Sequence, residues 1–350
     1  MRYAGLATLL LGCGFSVGSS TTGDADAGPD TGSDGSDGPS SPRKLVFDTT
    51  GLTTTLDDVP VLVTIAAQID RGKVVDPHTD LKFVDQATGE VLPFEVEAYN
   101  PTGEIVVWLR VPHLAPAPAQ SPVLLHFGSR IGMADPANVW KTDESVHHFA
   151  LDATDSSGHN HDGTLIGASL APGYLGNALV FDGMTDRATF AGQTFDQWDR
   201  GTLEMWLRPK YSLISDLGGL QPGVLDNGGS LGLGRFYVVG GAMVFQIDVR
   251  WTGAASFLHP ELPLNAWSHL AWVYDGSKLR VYVNGVEALA DSVGTHNFSV
   301  TIGSLVLGSS TQAAKMEIDE LRISKRSRSA DWMKLQQRSM TRALVTFTDP

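Results

Sequence analysis

Cysteine is nearly absent from this chain of 350 residues, in which Cys13 is the single example. One cysteine cannot form an intramolecular disulfide, so the folded parts must be held by their own hydrophobic cores. Basic residues are also scarce: the chain has 25 Lys and Arg but 39 Asp and Glu, which gives a formal net charge of −14. Since phosphates would be repelled, this charge argues against nucleic acid as a partner.

Long helical patterns are few, and after the amino terminus no hydrophobic run reaches the roughly twenty residues that span a bilayer. The chain contains 38 glycines and 18 prolines, which favour strands and turns. Beyond the first forty residues about 310 remain, enough for two domains of ordinary size. The composition therefore predicts a strand-rich protein.

The sequence before Cys13 is typical of a secretory signal peptide: Arg2 is positive, an apolar run follows, and Gly12 is small. The last four residues of this segment, Leu-Leu-Gly-Cys, resemble the lipobox of bacterial lipoproteins. The resemblance implies that residues 1–13 are a lipoprotein signal, that Cys13 carries lipid, and that the protein is exported to the outer membrane or cell surface. The alternative is an ordinary signal peptide with a chance cysteine.

Residues 14–42 are rich in Gly, Ser, Asp and Pro and contain almost no large apolar side chain. Such a segment cannot bury enough surface to offset the entropy of ordering, so it predicts a disordered tether. Its aspartates resemble a calcium loop only up to Asp26, where the alternating spacing breaks. We therefore expect a solvated spacer between the lipid and the folded chain.

Short alternating segments fill residues 43–130. In "LKFVD" and "FEVEAY" apolar and polar residues alternate with a period of two, which is typical of half-buried strands. The segment "QATGEV" between them supplies a glycine-containing turn, so the pair predicts a hairpin. Together the segments predict a small β-sandwich.

This unit resembles the bacterial domain of unknown function 2341. The matching segments are Phe83–Asp85, Pro93–Glu97, Gly103–Pro112 and Leu124–Gly128, ahead of Val139-Trp140. That family has no established activity, so the resemblance implies architecture alone.

Glu95 and Glu97 occupy alternate positions of one predicted strand, so they would project from the same face. They are either a functional carboxylate pair or ordinary solvent-facing charges. The second interpretation is far commoner on strands and is the prediction here.

Residues 140–336 form the second predicted unit. In "NAWSHLAWVYDGSKLRVYVNG" two alternating strands flank a turn at Asp275-Gly276, and Asn284-Gly285 supplies another turn. This block resembles the laminin-G-like branch of the concanavalin A-like jelly rolls, and five further blocks match that family in order. The resemblance implies two packed antiparallel sheets of about six strands each.

The predicted fold class is therefore all-β, with two tandem β-sandwich domains after a disordered tether, the second a laminin-G-like jelly roll. Residues 337–350 form a carboxyl-terminal tail. In and before this tail, "ADWMKLQQ" predicts a short helix and "ALVTFTD" a closing strand that pairs with either domain.

Hydrolases on this fold carry E-x-D-x-E or E-x-D-x-x-E on one strand, and "MEIDEL" resembles its first half. Glu317 and Asp319 are present, but the second glutamate is replaced by Leu321 or Arg322. Glu320 neighbours Asp319 and should point to the opposite face of the strand. Because a retaining mechanism needs two carboxyl groups, we predict no catalytic residues.

Four histidines lie close together in the sequence, at His147, His148, His159 and His161. A zinc site needs three or four converging ligands, and this spacing is weak evidence for one. The first two match the start of the family's first strand, where such residues are structural. We therefore expect structural roles.

The laminin-G resemblance also implies one calcium ion at the rim of the sandwich, the single cofactor it suggests. Asp182 and Asp319 are the predicted metal ligands, with Asp155 and Asp186 as secondary candidates. The alternative is that Asp182 and Asp155 cap turns beside glycine.

Sugar recognition normally adds an aromatic platform. The candidates in or near predicted loops are Trp198, Trp251 and Phe257. Three other tryptophans, Trp206, Trp267 and Trp272, lie in strand blocks and are predicted to be core.

The function predicted from these features is non-catalytic binding of an extracellular glycan or glycoprotein through the laminin-G-like domain. A structural or adhesive envelope protein that binds other proteins is the alternative, as is an accessory module of a secreted polysaccharide-degrading system. Contact with the membrane is expected through the amino-terminal lipid only.

Overall fold

The computed structural model describes most of the chain after residue 40. The described ranges are 41–66, 74–118, 122–192, 198–218, 223–226, 234–251, 254–258, 260–292, 294 and 304–348, with the backbone alone at 191, 226, 247–251 and 254–258. The predicted signal peptide, Cys13 and the tether up to residue 40 lie outside these ranges.

The first sandwich consists of two antiparallel sheets. Its strands and short helices are β1 (Arg43–Phe47), β2 (Leu56–Ile65), α1 (Pro77–Asp80), β3 (Leu81–Asp85), β4 (Val91–Leu92), β5 (Phe94–Tyr99), β6 (Ile105–Leu114), β7 (Val123–Phe127) and α2 (Pro136–Val139). Sheet A has the strand order β23-β1-β7-β3-β4, in which β23 is Val345–Thr348, and sheet B has the order β2-β6-β5. The predicted strands around "LKFVD" and "FEVEAY" are present, but they belong to different sheets.

The second sandwich is a jelly roll whose strands fill the rest of the chain. They are β8 (Ser145–His147), β9 (Gly163–Ile166), β10 (Ser169–Pro172), β11 (Asn177–Asp182), β12 (Arg187–Ala191), β13 (Gly201–Pro209), β14 (Gly223–Asp226), β15 (Gly234–Val239), β16 (Ala242–Trp251), β17 (Ala254–Leu258), β18 (Ser268–Tyr274), β19 (Lys278–Val283), β20 (Val286–Ser292), β21 (Ser304–Gly308) and β22 (Lys315–Ser324). A single 3-10 turn, Ile214–Leu217, is described between β13 and β14.

The jelly-roll strands form two sheets, somewhat larger than expected. Sheet C has eight strands, in the order β10-β11-β22-β13-β18-β19-β20 with β8 also paired to β22. Sheet D has seven strands, in the order β17-β16-β15-β14-β21-β12-β9. The all-β fold class with a jelly roll as its second sandwich is thus confirmed.

The hairpin β18-β19-β20 forms where the sequence predicts it. The Asp275 side chain accepts hydrogen bonds from the backbone N–H groups of Ser277 and Lys278, at 3.0 and 2.8 Å. At the second turn Asn284 and Gly285 have φ values of +50° and +77°, the left-handed conformation that favours Asn-Gly. A Cβ on Gly285 would lie 3.1 Å from the Lys334 Cα, so the turn also packs directly on a helix.

That helix, α3 (Ala330–Met340), lies between the two sandwiches. It begins at Ser329, whose hydroxyl accepts a hydrogen bond from the Trp332 N–H at 3.2 Å. Trp332 and Met333 pack in one core with Ala271 and Val273, which lie on the outer face of sheet C. After α3 the chain returns to the first sandwich as β23, which pairs antiparallel with β1.

The outer face of sheet B packs against the outer face of sheet C. Leu62, Val106 and Trp108 of sheet B share a hydrophobic cluster with Trp206 of β13 and Met340 of α3. Residues 39–350 accordingly form one compact unit, and both sandwiches share its core. Within the described ranges, no helix combines the length and apolarity needed to cross a membrane.

Candidate functional site

Strand β22 contains a bulge at Glu320, whose φ is +53°. In the pairing with β13, Arg322 lies opposite Glu204 and Asp319 lies opposite Trp206. Two residues of β22 therefore face a single residue of β13, the arrangement of a β-bulge.

The bulge changes which side chains share a face of sheet C. Ile318 and Leu321 both lie in the jelly-roll core, although three positions separate them. Asp319 and Glu320 consequently both project toward the first sandwich. The expectation that these two carboxyl groups point to opposite faces is wrong, because the bulge resets the alternation of the strand.

Glu320 meets side chains from the other sandwich around His148. The Nδ1 atom of His148 lies 2.8 Å from Glu320 Oε1 and 3.1 Å from Glu97 Oε2. Its Nε2 atom lies 3.2 Å from Glu95 Oε2. With Arg322, these residues make up what we call the interface cluster. Glu95 and Glu97 are therefore not solvent-facing, and the sequence-based prediction for this pair is wrong.

Indole and hydroxyl groups hold the two glutamates of β5. Trp108 Nε1 donates a hydrogen bond to Glu97 Oε2 at 3.1 Å, and Trp140 Nε1 donates to Glu95 Oε2 at 2.5 Å. The Ser156 hydroxyl donates to Glu95 Oε1 at 2.7 Å. Their positions are thus fixed by contacts from both sandwiches.

Arg322 lies on the other side of Glu320. Its Nη2 atom donates to Glu320 Oε2 at 2.6 Å, and its Nη1 atom donates to the Gln336 Oε1 atom of α3 at 2.9 Å. The guanidinium also stacks on two tryptophan rings, 4.3 Å from the centre of Trp108 and 4.7 Å from that of Trp140.

Burial and crowding shift the pKa values in this cluster. Burial raises the pKa of Glu97 to about 8, and the neighbouring carboxylates of Glu320 and Glu95 add to the increase. Burial opposes the charged form of His148, but the three surrounding carboxylates outweigh it and raise the pKa of the imidazole well above its usual value. For Glu320, burial is outweighed by His148 and Arg322, which lower its pKa.

The predicted calcium ligands Asp182 and Asp319 do not converge. Asp319 is fully buried, and its Oδ2 atom accepts hydrogen bonds from the backbone N–H groups of Tyr174 and Leu175, both at 2.9 Å. Asp182 pairs in register with Lys315, four residues before Asp319, which is about 13 Å along the strand. One calcium ion cannot contact both side chains, so the predicted pairing is wrong.

Asp155, Asp182 and Asp186 organise loops. Asp155 accepts hydrogen bonds from the backbone N–H groups of Val146, Ser157 and His161. Asp182 accepts from the Met184 N–H at 2.8 Å, while its own N–H donates to Asp186 Oδ2 at 2.9 Å. The turn-capping interpretation is thus the one observed for Asp155 and Asp182.

The predicted aromatic platform is only partly described. Trp198 is 7% exposed and packs in the jelly-roll core, so its prediction as an exposed ring is wrong. Trp251 and Phe257 lie in β16 and β17, and their side chains are outside the described ones. Trp206 and Trp272 are buried, as predicted.

Trp267, by contrast, is only half-buried, although it was predicted to be core. Its ring centre lies 6.1 Å from that of Tyr174, which stacks on Trp206 at 3.5 Å. The Arg208 guanidinium lies 4.9 Å above the Trp267 ring. This aromatic group lies at the edge of the contact between the sandwiches.

A cavity of about 330 Å³ opens on sheet D. Its lining residues are Arg187, Thr189, Gly223, Leu225, Val306, Gly308, Ser309 and Ser310. On β12, Ala188 and Phe190 belong to the core, so the alternating Arg187 and Thr189 side chains project from the outer face. We call this cavity the sheet D groove. The alternation in "DRATF" is the sequence signal that could have indicated it.

Gly308 allows the rim of the groove to close. Its φ is +81°, and a Cβ at this position would lie 2.2 Å from the Asp186 carbonyl oxygen. The loop that contains Asp182 and Asp186 can therefore rest on the end of β21. This contact places the exposed Asp182 loop beside the groove.

The carboxyl groups of β22, the strand whose sequence resembles the hydrolase motif, are all held by contacts within the protein. Glu317 pairs with Arg208, and one of its oxygens lies 2.9 Å from Lys210 Nζ. Asp319 is held by backbone N–H groups, and Glu97 and Glu320 lie between the sandwiches with side chains that are 1% and 0% exposed. None of these described carboxyl groups lines the sheet D groove.

Residues 182–334 match the family model described as the concanavalin A-like lectin/glucanases superfamily, in its laminin-G form. These residues form a concanavalin A-like domain. The match begins in β11 and ends within α3. No curated protein sequence matches the chain.

Solved structures with a similar fold include domain 4 of an extracellular arabinanase from Geobacillus stearothermophilus, in complex with arabinotriose. It is 20% identical with a TM-score of 0.45, over 56% of this chain and 98% of that one. The binding domain of Paraclostridial Mosquitocidal Protein 1 is 15% identical with a TM-score of 0.46, over 57% of this chain and 52% of that one. The ligand binding domain of botulinum neurotoxin serotype D, in complex with N-acetylneuraminic acid, is 10% identical with a TM-score of 0.46, over 56% of this chain and 50% of that one. The chain thus spans about half the length of the two toxin domains.

Proposed function

We propose that this chain is a non-catalytic, surface-displayed protein that binds an extracellular glycan or glycoprotein in the sheet D groove. The observation that supports the proposal is the difference between the two outer faces of the jelly roll. Sheet C is covered by the first sandwich and α3, whereas sheet D carries a groove of about 330 Å³. A concanavalin A-like domain with one covered face has this groove available for a ligand.

The lining of the groove suits a polyhydroxylated ligand. Thr189, Ser309 and Ser310 supply hydroxyl groups, each of which both donates and accepts hydrogen bonds. Arg187 supplies donors in a planar fork that fits a carboxylate or paired hydroxyl oxygens. Val306 adds an apolar surface for the face of a sugar ring.

A calcium ion at the exposed loop of Asp182 and Asp186 remains part of the proposal. This loop rests on β21 at the rim of the groove, where an ion would order the loop and the groove together. Chelation therefore tests the metal separately from the sugar.

The experiment is a glycan and polysaccharide array probed with the folded fragment 41–350, in calcium and again in chelator. We expect binding that falls at least tenfold in Arg187→Ala and survives in Arg326→Ala, a control at an exposed arginine just after β22. Loss in chelator supports the ion, and binding that persists in chelator removes it from the proposal.

If folded protein binds no glycan, the glycan proposal fails and a protein-binding role in the envelope replaces it. If Arg187→Ala binds as well as the unaltered protein, the groove is not the site. Hydrolysis of any bound polysaccharide by the purified protein would overturn the non-catalytic role.

We also propose that the protein is anchored through a lipid on Cys13, as the signal-like sequence before it suggests. The full-length protein should partition into detergent in a Triton X-114 separation, and Cys13→Ser should partition into the aqueous phase. Mass spectrometry should find an acylated Cys13 at the new amino terminus. Aqueous partitioning of the unaltered protein would contradict the anchor.

A further inference from the structure

Three ligand-type side chains from distant parts of the chain converge in the interface cluster. Glu97 lies on β5 of the first sandwich, His148 follows β8, and Glu320 lies at the bulge of β22. One ligand atom from each lies within 4.8 Å of the others, and all three residues are buried. Nδ1 of His148 faces both carboxylates at once, at 2.8 and 3.1 Å.

The carboxyl groups of this region outnumber its basic groups. The interface cluster and Asp319 together hold four carboxyl groups, against one guanidinium and one imidazole. With every group ionised the sum is −4 + 2 = −2. A buried excess of this size is costly unless protons or a cation neutralise it.

Glu97 provides an independent indication of a ligand. Its side chain is 1% exposed, and its Oε1 atom is buried without a hydrogen-bond partner among the described residues. The other oxygen of the same carboxylate accepts from Trp108 and faces His148. Buried carboxylate oxygens normally have a partner, and an ion bound at this carboxylate would supply one.

The contacts behind His148 match those of a metal-bound histidine. Its Nε2 atom lies 3.2 Å from Glu95, and Glu95 is in turn held by Trp140 and Ser156. A carboxylate on the far nitrogen orients the ring and leaves the near nitrogen for a metal.

We propose that Glu97, His148 and Glu320 bind one divalent transition-metal ion of the zinc type between the two sandwiches. One imidazole nitrogen and carboxylate oxygens are ligands that Zn²⁺ prefers. Tetrahedral Zn²⁺ would separate Nδ1 from each oxygen by about 3.3 Å, so the side chains need to move apart by a few tenths of an ångström. Calcium needs about six to eight oxygen ligands, which this buried site does not offer.

The ion would link the two sandwiches through ligands that are far apart in the sequence. Glu97 and Glu320 are separated by 223 positions, 320 − 97, and no disulfide is available to link them. Because the ligands are buried, the metal enters as the protein folds and its binding energy adds to folding. This site is separate from the sheet D groove and does not depend on the proposed function.

The test is the metal content of fragment 41–350, refolded with and without ZnSO₄ and then freed of loose metal by gel filtration. We expect one zinc per chain by mass spectrometry, and a thermal midpoint that rises with zinc and falls in chelator. With Co²⁺ in its place, a tetrahedral site should absorb in the visible range.

Glu320→Gln and His148→Gln should each lower zinc affinity at least tenfold. The matched control is Glu317→Gln on the same strand, whose carboxylate pairs with Arg208 and Lys210 and should leave the zinc content unchanged. Folded protein that takes up no stoichiometric zinc or cobalt would overturn the proposal and show that protons neutralise the cluster. If the variants do not fold, the zinc content and cobalt spectrum of the unaltered chain still decide.

Discussion

The two outer faces of the jelly roll have opposite chemistry. The face of sheet C is covered, and there charged groups are buried against tryptophans and the other sandwich. The face of sheet D is open at the groove, and there hydroxyl groups and an arginine line a cavity. We therefore expect the covered face of sheet C to contribute mainly to stability and the open face of sheet D mainly to ligand binding. Variants on the two faces test this division of roles.

The largest loss of unfolding free energy is expected when Arg322, on the covered face, is replaced. Arg322→Met leaves the buried Glu320 carboxylate without its guanidinium partner, and breaking such a pair costs about 3–5 kcal/mol of unfolding free energy. Urea denaturation of the variant measures the loss. Arg326→Met, an exposed arginine four residues along, should change stability by less than about 0.5 kcal/mol. Equal stabilities for the two variants would contradict the division.

Leu335→Ala tests whether α3 joins the sandwiches. Leu335 is almost fully buried in the core that both share, and its truncation should cost about 2–5 kcal/mol. Because the core is shared, calorimetry should show one transition that moves to lower temperature as a whole. Two separate transitions, only one of them shifted, would show that the sandwiches unfold independently.

Asp80 offers a buried carboxylate that is fully satisfied, in contrast to those of the interface cluster. Burial would raise its pKa, but the backbone N–H groups of Arg130, Asp76 and Val75 outweigh this and lower the pKa to about 2. A folded-state pKa below the unfolded value stabilises the protein above about pH 4, and the contribution is lost as the pH falls toward 2.

We therefore expect Asp80→Asn to cost about 2 kcal/mol at neutral pH and progressively less in acid. Unfolding free energies of both proteins, measured at several pH values between about 5 and 3, should converge as the pH falls. A constant difference across this range would mean that the loss comes from packing and not from the ionised carboxylate.

The smallest effect on stability is expected on the open face. Arg187→Ala should change the unfolding free energy by less than about 0.5 kcal/mol, since Arg187 projects from sheet D. The same variant should lose at least tenfold in glycan affinity. A large loss of stability at Arg187 would mean that this face, too, contributes to the core.

Local patterns in the sequence predicted the local structure well. The hairpin around Asp275 and Asn284-Gly285 follows from turn residues whose preferences are intrinsic to the backbone.

The interface cluster could not be predicted in this way. Glu97 has the spacing of a solvent-facing residue, and only contact with a segment far along the chain buries it. The bulge at Glu320 also has no local signature, because a non-glycine residue in the left-handed region is held there by its neighbours. The sequence around Trp198 also gives no sign of its burial, because that burial depends on long-range packing.

The return of β23 to β1 has a mechanical consequence. Tension that reaches the described fold from the amino-terminal side enters at β1, which is paired on one side with β7 and on the other with β23. Without β23, β1 would be an edge strand held by a single ladder, which a pulling force could detach more easily. With β23 in place, two ladders share the load, and the last described strand acts as a clamp on the first described strand.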